Sequence, residues 1–197
     1  MAYINLTRDH SVRNIVNIEG ETKKKEVWKL GSISNIQGSD YIMMPLYSNQ
    51  NYSIDSYTKS ALSSVRNYLF FDTEGNKKYW LFPNNDYLVA QTTLLPNASF
   101  GEQLQDTKAI LYYVVKSDTN KDKSLTAMDF KTIAISKPDG TKYTELLGEI
   151  DFVNGYKVNG DNSVVIIYQR KNIGYSARIN LSTFVVSDES KLPSVNQ

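Results

Sequence analysis

The sequence predicts an all-β fold of antiparallel meanders, and three observations carry that prediction. There are fourteen Tyr and seven Phe, and aromatic rings suit the pleated, half-buried surface of a sheet. Short runs rich in Val, Ile and Tyr alternate with clusters of Gly, Asn, Asp and Ser, the punctuation of strands and turns. No segment holds a helical period; residues 60–65 have room for one turn only.

Taken in order, the elements follow a hairpin grammar. Asn14-Ile15-Val16-Asn17-Ile18 leads through Glu19-Gly20-Glu21 to Glu26-Val27-Trp28-Lys29-Leu30. Tyr68-Leu69-Phe70-Phe71 turns at Asp72-Thr73-Glu74-Gly75-Asn76 into Lys78-Tyr79-Trp80-Leu81-Phe82. Thr132-Ile133-Ala134-Ile135-Ser136 turns at Lys137-Pro138-Asp139-Gly140 into Lys142-Tyr143-Thr144-Glu145-Leu146-Leu147. A weaker copy joins residues 175–180 to 183–186. Gly supplies the left-handed turn geometry in the first three. Apolar strands at 41–47, 109–116 and 163–170 each precede a hairpin, so "outer strand, apolar strand, hairpin" recurs about three times. Trp28 and Trp80 hold corresponding places in their hairpins, which predicts equivalent packing sites. Gly20, Gly75 and Gly140 are spaced more widely than the ~40–50 residues of a regular propeller blade. Insertions at 49–64, at 95–107 and between 116 and 130 account for the excess. The pattern fits a small or irregular β-propeller, with a β-sandwich as the alternative.

At 197 residues, with 41% hydrophobic side chains, the chain is expected to form a single all-β domain, 1–197. The 22 basic and 21 acidic side chains leave a net charge of +1, which gives no reason to expect nucleic acid or an anionic membrane as partner. The absence of cysteine removes disulfides, thiolate nucleophiles and Cys-ligated zinc. No run of 18 apolar residues spans a bilayer. The start, Met-Ala-Tyr-Ile-Asn-Leu-Thr-Arg, is not a signal peptide. Residues 3–6 already look like strand, so the expectation is a mature chain whose export signal has been removed.

The most informative stretch is Asp118-Thr119-Asn120-Lys121-Asp122-Lys123-Ser124-Leu125-Thr126-Ala127-Met128-Asp129. Oxygen-bearing side chains fall at positions 1, 3, 5, 7, 9 and 12 of a twelve-residue loop, the ligand spacing of a calcium site. Asp118, Asn120 and Asp122 offer side-chain oxygens, Ser124 its carbonyl, Thr126 a direct or water-borne oxygen, and Asp129 closes the set. Lys123 occupies position 6, where the sharp turn favours Gly; positive φ at a non-Gly residue costs on the order of 1 kcal/mol. Asp129 is one methylene shorter than the usual Glu, and Lys121 and Lys123 offset part of the charge. The expected affinity is therefore weak, ~10⁻⁴–10⁻³ M as in extracellular modules. The flanks at 109–115 and 130–136 read as strands, so this is a calcium loop between strands and not a helix-loop-helix sensor.

The twelve residues resemble a dockerin repeat, without its second copy or following helix. Together with Ile133-Ala134-Ile135-Ser136-Lys137-Pro138-Asp139-Gly140, and with the hairpin from Phe71 to Leu81, they resemble bacterial envelope proteins of the TolB/WD40-like propeller type. In those a Ser-x-x-Asp-Gly hairpin closes a blade. The resemblance implies a periplasmic or cell-envelope location.

Catalytic chemistry finds few residues. His10 is the only histidine and lies in a polar connector, Arg8-Asp9-His10-Ser11, which argues against a triad and a zinc enzyme. Asp72, Glu74, Asp139 and Glu145 stand where hairpins carry polar residues. Tyr41, Tyr47, Tyr52 and Tyr57, with Asn49, Gln50 and Asn51, read as strand and loop cover before they read as a carbohydrate or protein surface. The reading is a non-catalytic binding or structural module of a bacterial envelope with a calcium-ordered loop and an unidentified protein or glycan partner. The alternative is a carboxylate-dependent glycan hydrolase or lyase.

Overall fold

The computed structural model describes residues 27–49, 64–96, 105–160 and 162–194. These are all-β, and no helix occurs among them. The strands group into three antiparallel meanders of propeller-blade form. The first holds β1 (Val27–Leu30) and β2 (Ser34–Asn35) in line on one edge of β3 (Tyr41–Asn49), then β4 (Ser64–Asp72) and the short β5 (Lys78–Trp80). The second is β6 (Leu88–Leu95), β7 (Ala109–Val115), β8 (Lys131–Ser136) and β9 (Thr144–Ile150). The third is β10 (Phe152–Asn159), β11 (Ser163–Arg170), β12 (Ile173–Asn180) and β13 (Val186–Lys191). Blades one and two form a continuous ladder, but β4 and β6 meet only at Val65 and Val89. The third blade is a separate sheet.

Alternation along β7 explains how the blades stack. All seven residues of β7 are buried, because both faces of the middle blade are covered. Ile110, Tyr112 and Val114 pack toward the first blade with Met43, Tyr68 and Phe70. Ala109, Leu111 and Tyr113 pack toward the third blade with Val164, Ile166, Tyr168 and Ile179. Successive strand residues point to opposite faces, so one strand feeds two cores. Full burial of each large apolar side chain contributes about 1.5–3 kcal/mol. Tyr112 buries its hydroxyl at no loss by bonding Ser136 Oγ at 2.8 Å.

The hairpins that close the blades also join them. Gly140 at the β8–β9 turn has φ +80, and a Cβ there would lie 2.5 Å from Phe70 Cε2. Only glycine allows both the left-handed backbone and that approach. The Tyr79 hydroxyl, on β5, donates to the Asp139 carbonyl in the same turn. Burial, foremost, and then the nearby Asp139 charge push the Tyr79 phenol above its usual range. Asp72 Oδ1 accepts from Glu74 N and Gly75 N, and Asp139 Oδ1 from Thr141 N and Oγ1. These carboxylates hold their turns.

The turns at Gly75 and Gly140 and the residue 181–185 turn each link the third and fourth strands of a blade, as the repeat predicts. Gly20 lies outside the described residues. The expected equivalence of the tryptophans is corrected. Trp28 is on β1, opposite Ser48, and Trp80 is on β5, opposite Leu69. Among the described residues β1 is the first strand of that blade and β5 its fourth, so the two tryptophans hold different places in it.

Candidate cation loop

The loop leaves β7 at Val115 and returns to β8 at Lys131, its direct cross-strand partner. It is therefore an excursion from the most deeply buried strand pair, with fixed ends and a polar body. Its anchor is Asp129, which is fully buried. Asp129 Oδ1 accepts from Thr119 N at 2.7 Å, Thr119 Oγ1 at 3.1 Å and Asn120 N at 3.2 Å, and Oδ2 accepts from Thr126 N at 2.9 Å. One carboxylate thus ties the outgoing arm to the returning one. Burial alone would raise its pKa; the amides of Thr126, Thr119 and Asn120 and the Thr119 hydroxyl outweigh that and hold it below the usual carboxylate value. Thr119 Oγ1 also accepts from Phe130 N at 2.9 Å. Residues 126–129 form a simple turn, closed by Asp129 N to Thr126 O at 3.2 Å.

The outer turn gathers three of the sequence-predicted ligands. Asp118 accepts from Asp122 N at 3.2 Å and Lys123 N at 2.7 Å. Asn120 Oδ1 accepts from Asp122 N at 2.9 Å, and Asn120 Nδ2 donates to Asp122 Oδ2 at 2.9 Å. Asp122 Oδ1 accepts from Ser124 N at 2.8 Å. Lys121 and Lys123 have φ of 63 and 69, so Lys123 adopts the left-handed turn that position 6 requires without glycine. Thr126 Oγ1 accepts from Met128 N at 3.2 Å. Asp118, Asn120 and Asp122 therefore come together, while Asp129 turns inward to backbone amides. Among the described residues no three His, Cys, Asp or Glu side chains are grouped to hold a metal ion.

The donors are chemically suited to a hard cation: carboxylate, amide and carbonyl oxygens only. The outer turn offers Asp118, Asn120, Asp122 and the Ser124 carbonyl, fewer than the six to eight oxygens calcium takes. Engaging Asp129 would require it to surrender amide hydrogen bonds.

Sequence reasoning missed the second tether. The Lys131 ammonium donates to the Asp129 carbonyl at 3.1 Å and to the Asp151 carbonyl at 3.0 Å. Asp151 Oδ2 in turn accepts from Asn172 N at 2.8 Å. The loop is so tied to the β9–β10 junction and to the β11–β12 turn. Burial lowers the Lys131 pKa, and the Asp129 and Asp151 charges only partly offset it. Contacts between residues 20 positions apart leave no local sequence signal. His10, Tyr52 and Tyr57 lie outside the described residues, while Tyr41 and Tyr47 sit half-buried on β3.

Fold and loop together define an all-β, propeller-like array carrying an ordered acidic loop between two inner strands. No family model matches the chain, and no curated protein matches it. Among solved structures it is similar to the β-propeller domain of the Trilobed protease from Pyrococcus furiosus, described as having an open velcro topology, with 11% identity and a TM-score of 0.44. That similarity covers 84% of this chain and 44% of the other, so this chain spans less than half of that protein's length.

Proposed function

We propose that this chain is a non-catalytic binding or structural module of a bacterial cell envelope, of the TolB/WD40-like propeller type, in which calcium orders the loop at residues 118–129. The single observation that carries the proposal is the build of the outer turn: Asp118, Asn120 and Asp122 already curl around it, and Lys123 already holds its left-handed backbone. Binding would take place on loops set on a rigid scaffold, with an as yet unidentified protein or glycan as partner. Lys121 and Lys123, and the amide bonds that hold Asp129, keep the affinity low.

The test is thermal unfolding with and without calcium. Binding to the folded state alone stabilises by mass action: at a Kd of ~1 mM, about 10 mM calcium contributes about 1.4 kcal/mol. That is about 3–6 °C in Tm for a chain of this size. Asp118→Ala or Asp122→Ala removes the gain, and Lys123→Gly enlarges it. Magnesium does less, since it demands octahedral geometry and releases water reluctantly. An unchanged Tm and no calorimetric heat at millimolar calcium overturn the cation assignment. Cell fractionation tests the location separately; recovery in the cytoplasm overturns the envelope assignment.

A further inference from the structure

The tripeptide Val-Asn-Gly occurs twice at the first strand of the third blade. Val153-Asn154-Gly155 lies within β10, and Val158-Asn159-Gly160 stands at its end. An Asn followed by Gly carries latent chemistry, because no side chain on the glycine obstructs attack by its amide nitrogen on the Asn side-chain carbon. The same local sequence gives both copies similar intrinsic reactivity, and the fold separates them. Asn154 is flanked by paired residues, Val153 opposite Tyr168 and Gly155 opposite Ile167, so the ladder restrains its backbone. Asn159 is the last paired residue, opposite Ser163, and Gly160 lies beyond the ladder. Asn159 and Gly160 are both exposed, and a Cβ built on Gly160 would meet nothing within 4 Å. The related pair Asp139-Gly140 is locked: the Gly140 amide donates to Lys137 O at 2.9 Å, and Asp139 Oδ1 is held by Thr141.

A neighbouring hydroxyl favours reaction at Asn159. Ser163 Oγ donates to the Asn159 carbonyl oxygen at 3.0 Å. That carbonyl is the acyl half of the peptide bond to Gly160. When the Gly160 nitrogen loses its proton, negative charge spreads onto this oxygen. A hydrogen bond to a charged acceptor is stronger than one to a neutral acceptor. The Ser163 bond therefore makes the Gly160 N–H easier to deprotonate.

We propose that Asn159 is a self-modification site, at which the Gly160 nitrogen, activated by Ser163, attacks Asn159 Cγ. The bond from Gly160 N to Cγ forms and the bond from Cγ to Nδ2 breaks. Ammonia leaves, carrying the proton that Gly160 N gave up to base. Water then opens the five-membered ring. Opening at Cγ gives aspartate, and opening at the backbone carbonyl gives isoaspartate. Either product puts a carboxylate where a neutral amide stood. Isoaspartate also adds a methylene to the main chain at the Asn159–Ser163 pair, so the β10–β11 hairpin loses its last rung as the molecule ages. The chemistry is independent of the loop at residues 118–129.

The experiment is incubation of the full chain in mildly alkaline buffer, folded and in urea, followed by peptide mapping with mass spectrometry. Trypsin cuts after Lys157 and so puts the two asparagines in separate peptides, and fragmentation distinguishes Asn159 from Asn162. In urea Asn154 and Asn159 are expected to react at similar rates. In the folded chain Asn159 is expected to outpace Asn154 by about tenfold or more, since ring closure at Asn154 forfeits ladder hydrogen bonds. Ser163→Ala slows Asn159 about tenfold in the folded chain, by loss of one hydrogen bond to a developing charge, and leaves its rate in urea unchanged. Equal rates at the two sites in the folded chain, or an unmodified Asn159, overturn the assignment. An unchanged folded-state rate in Ser163→Ala, with the variant's Tm intact, overturns the activation by Ser163.

Discussion

Asp129→Asn is the sharpest perturbation of the loop, because it keeps the shape of a fully buried side chain and removes its charge. The amide oxygen still accepts from Thr119 and Asn120, but the new N–H₂ group faces Thr126 N across the present 2.9 Å contact, donor against donor. One charge-assisted bond is lost outright and three are weakened, a cost of about 3 kcal/mol given ~1.5–3 kcal/mol for a bond to a charged group. Tm should fall by about 6–12 °C. The native carboxyl pKa is depressed because four donors outweigh the burial that would raise it. A depressed acid contributes its stability above the unfolded value of ~3.9 and loses it as pH falls through the folded value. The gap between wild type and variant should therefore be full at pH 7 and close below about pH 4. Urea unfolding in chelating buffer across that range measures it. A loss under about 0.5 kcal/mol, the scale of a neutral surface change, would refute the tether. So would a loss that persists undiminished in acid.

Other outcomes follow from the same contacts. Gly140→Ala should cost about 2 kcal/mol or more, because the new methyl meets the Phe70 ring in a left-handed backbone; near-neutral unfolding would show that the two blades are not locked there. Tyr112→Phe should cost about 1 kcal/mol by removing its buried bond to Ser136 Oγ, which keeps its own bond to the Lys137 carbonyl, read by the same urea titration. Wild type should gain stability over Lys131→Met between the depressed lysine pKa and ~10.4, because burial disfavours the charged form in the folded chain; a flat difference over that window would contradict the buried ammonium.

Much of the fold was legible because its signals are local. The apolar runs at 41–47, 109–116 and 163–170 became β3, β7 and β11, and both glycine turns closed hairpins; Gly140 takes the left-handed position itself, whereas in the other turn Asn76, φ 56, takes it in place of Gly75. β13 was not legible beyond its first residue. Its sequence, Val-Ser-Asp-Glu-Ser-Lys, lacks an apolar face, and it is held at the edge by pairing with β12 and by Glu189, which accepts from the Tyr168 hydroxyl and the Arg170 guanidinium on β11. Charged side chains on such a strand discourage further pairing. β6 and β10 were likewise hidden, since Gln91, Thr92 and Thr93, or Asn154 and Lys157, break the apolar alternation.

The candidate site was legible only within its twelve residues. Spacing alone placed Asp118, Asn120 and Asp122 together, and the turn that gathers them is local. It did not reveal that Asp129 faces inward, because its partners Thr119 and Asn120 lie on the opposite arm of the loop. A pattern of oxygens cannot distinguish a carboxylate aimed at a cation from one that organises N–H groups, since both demand the same residue types. What separates them is burial. Asp129 is sealed beneath the loop, while Asp122 is exposed at its tip. The loop is thus built in two layers, an inner carboxylate that fixes its shape and an outer set that remains open to solvent. Loss of the inner one should abolish order with or without calcium. Loss of an outer one should abolish only the response to the ion.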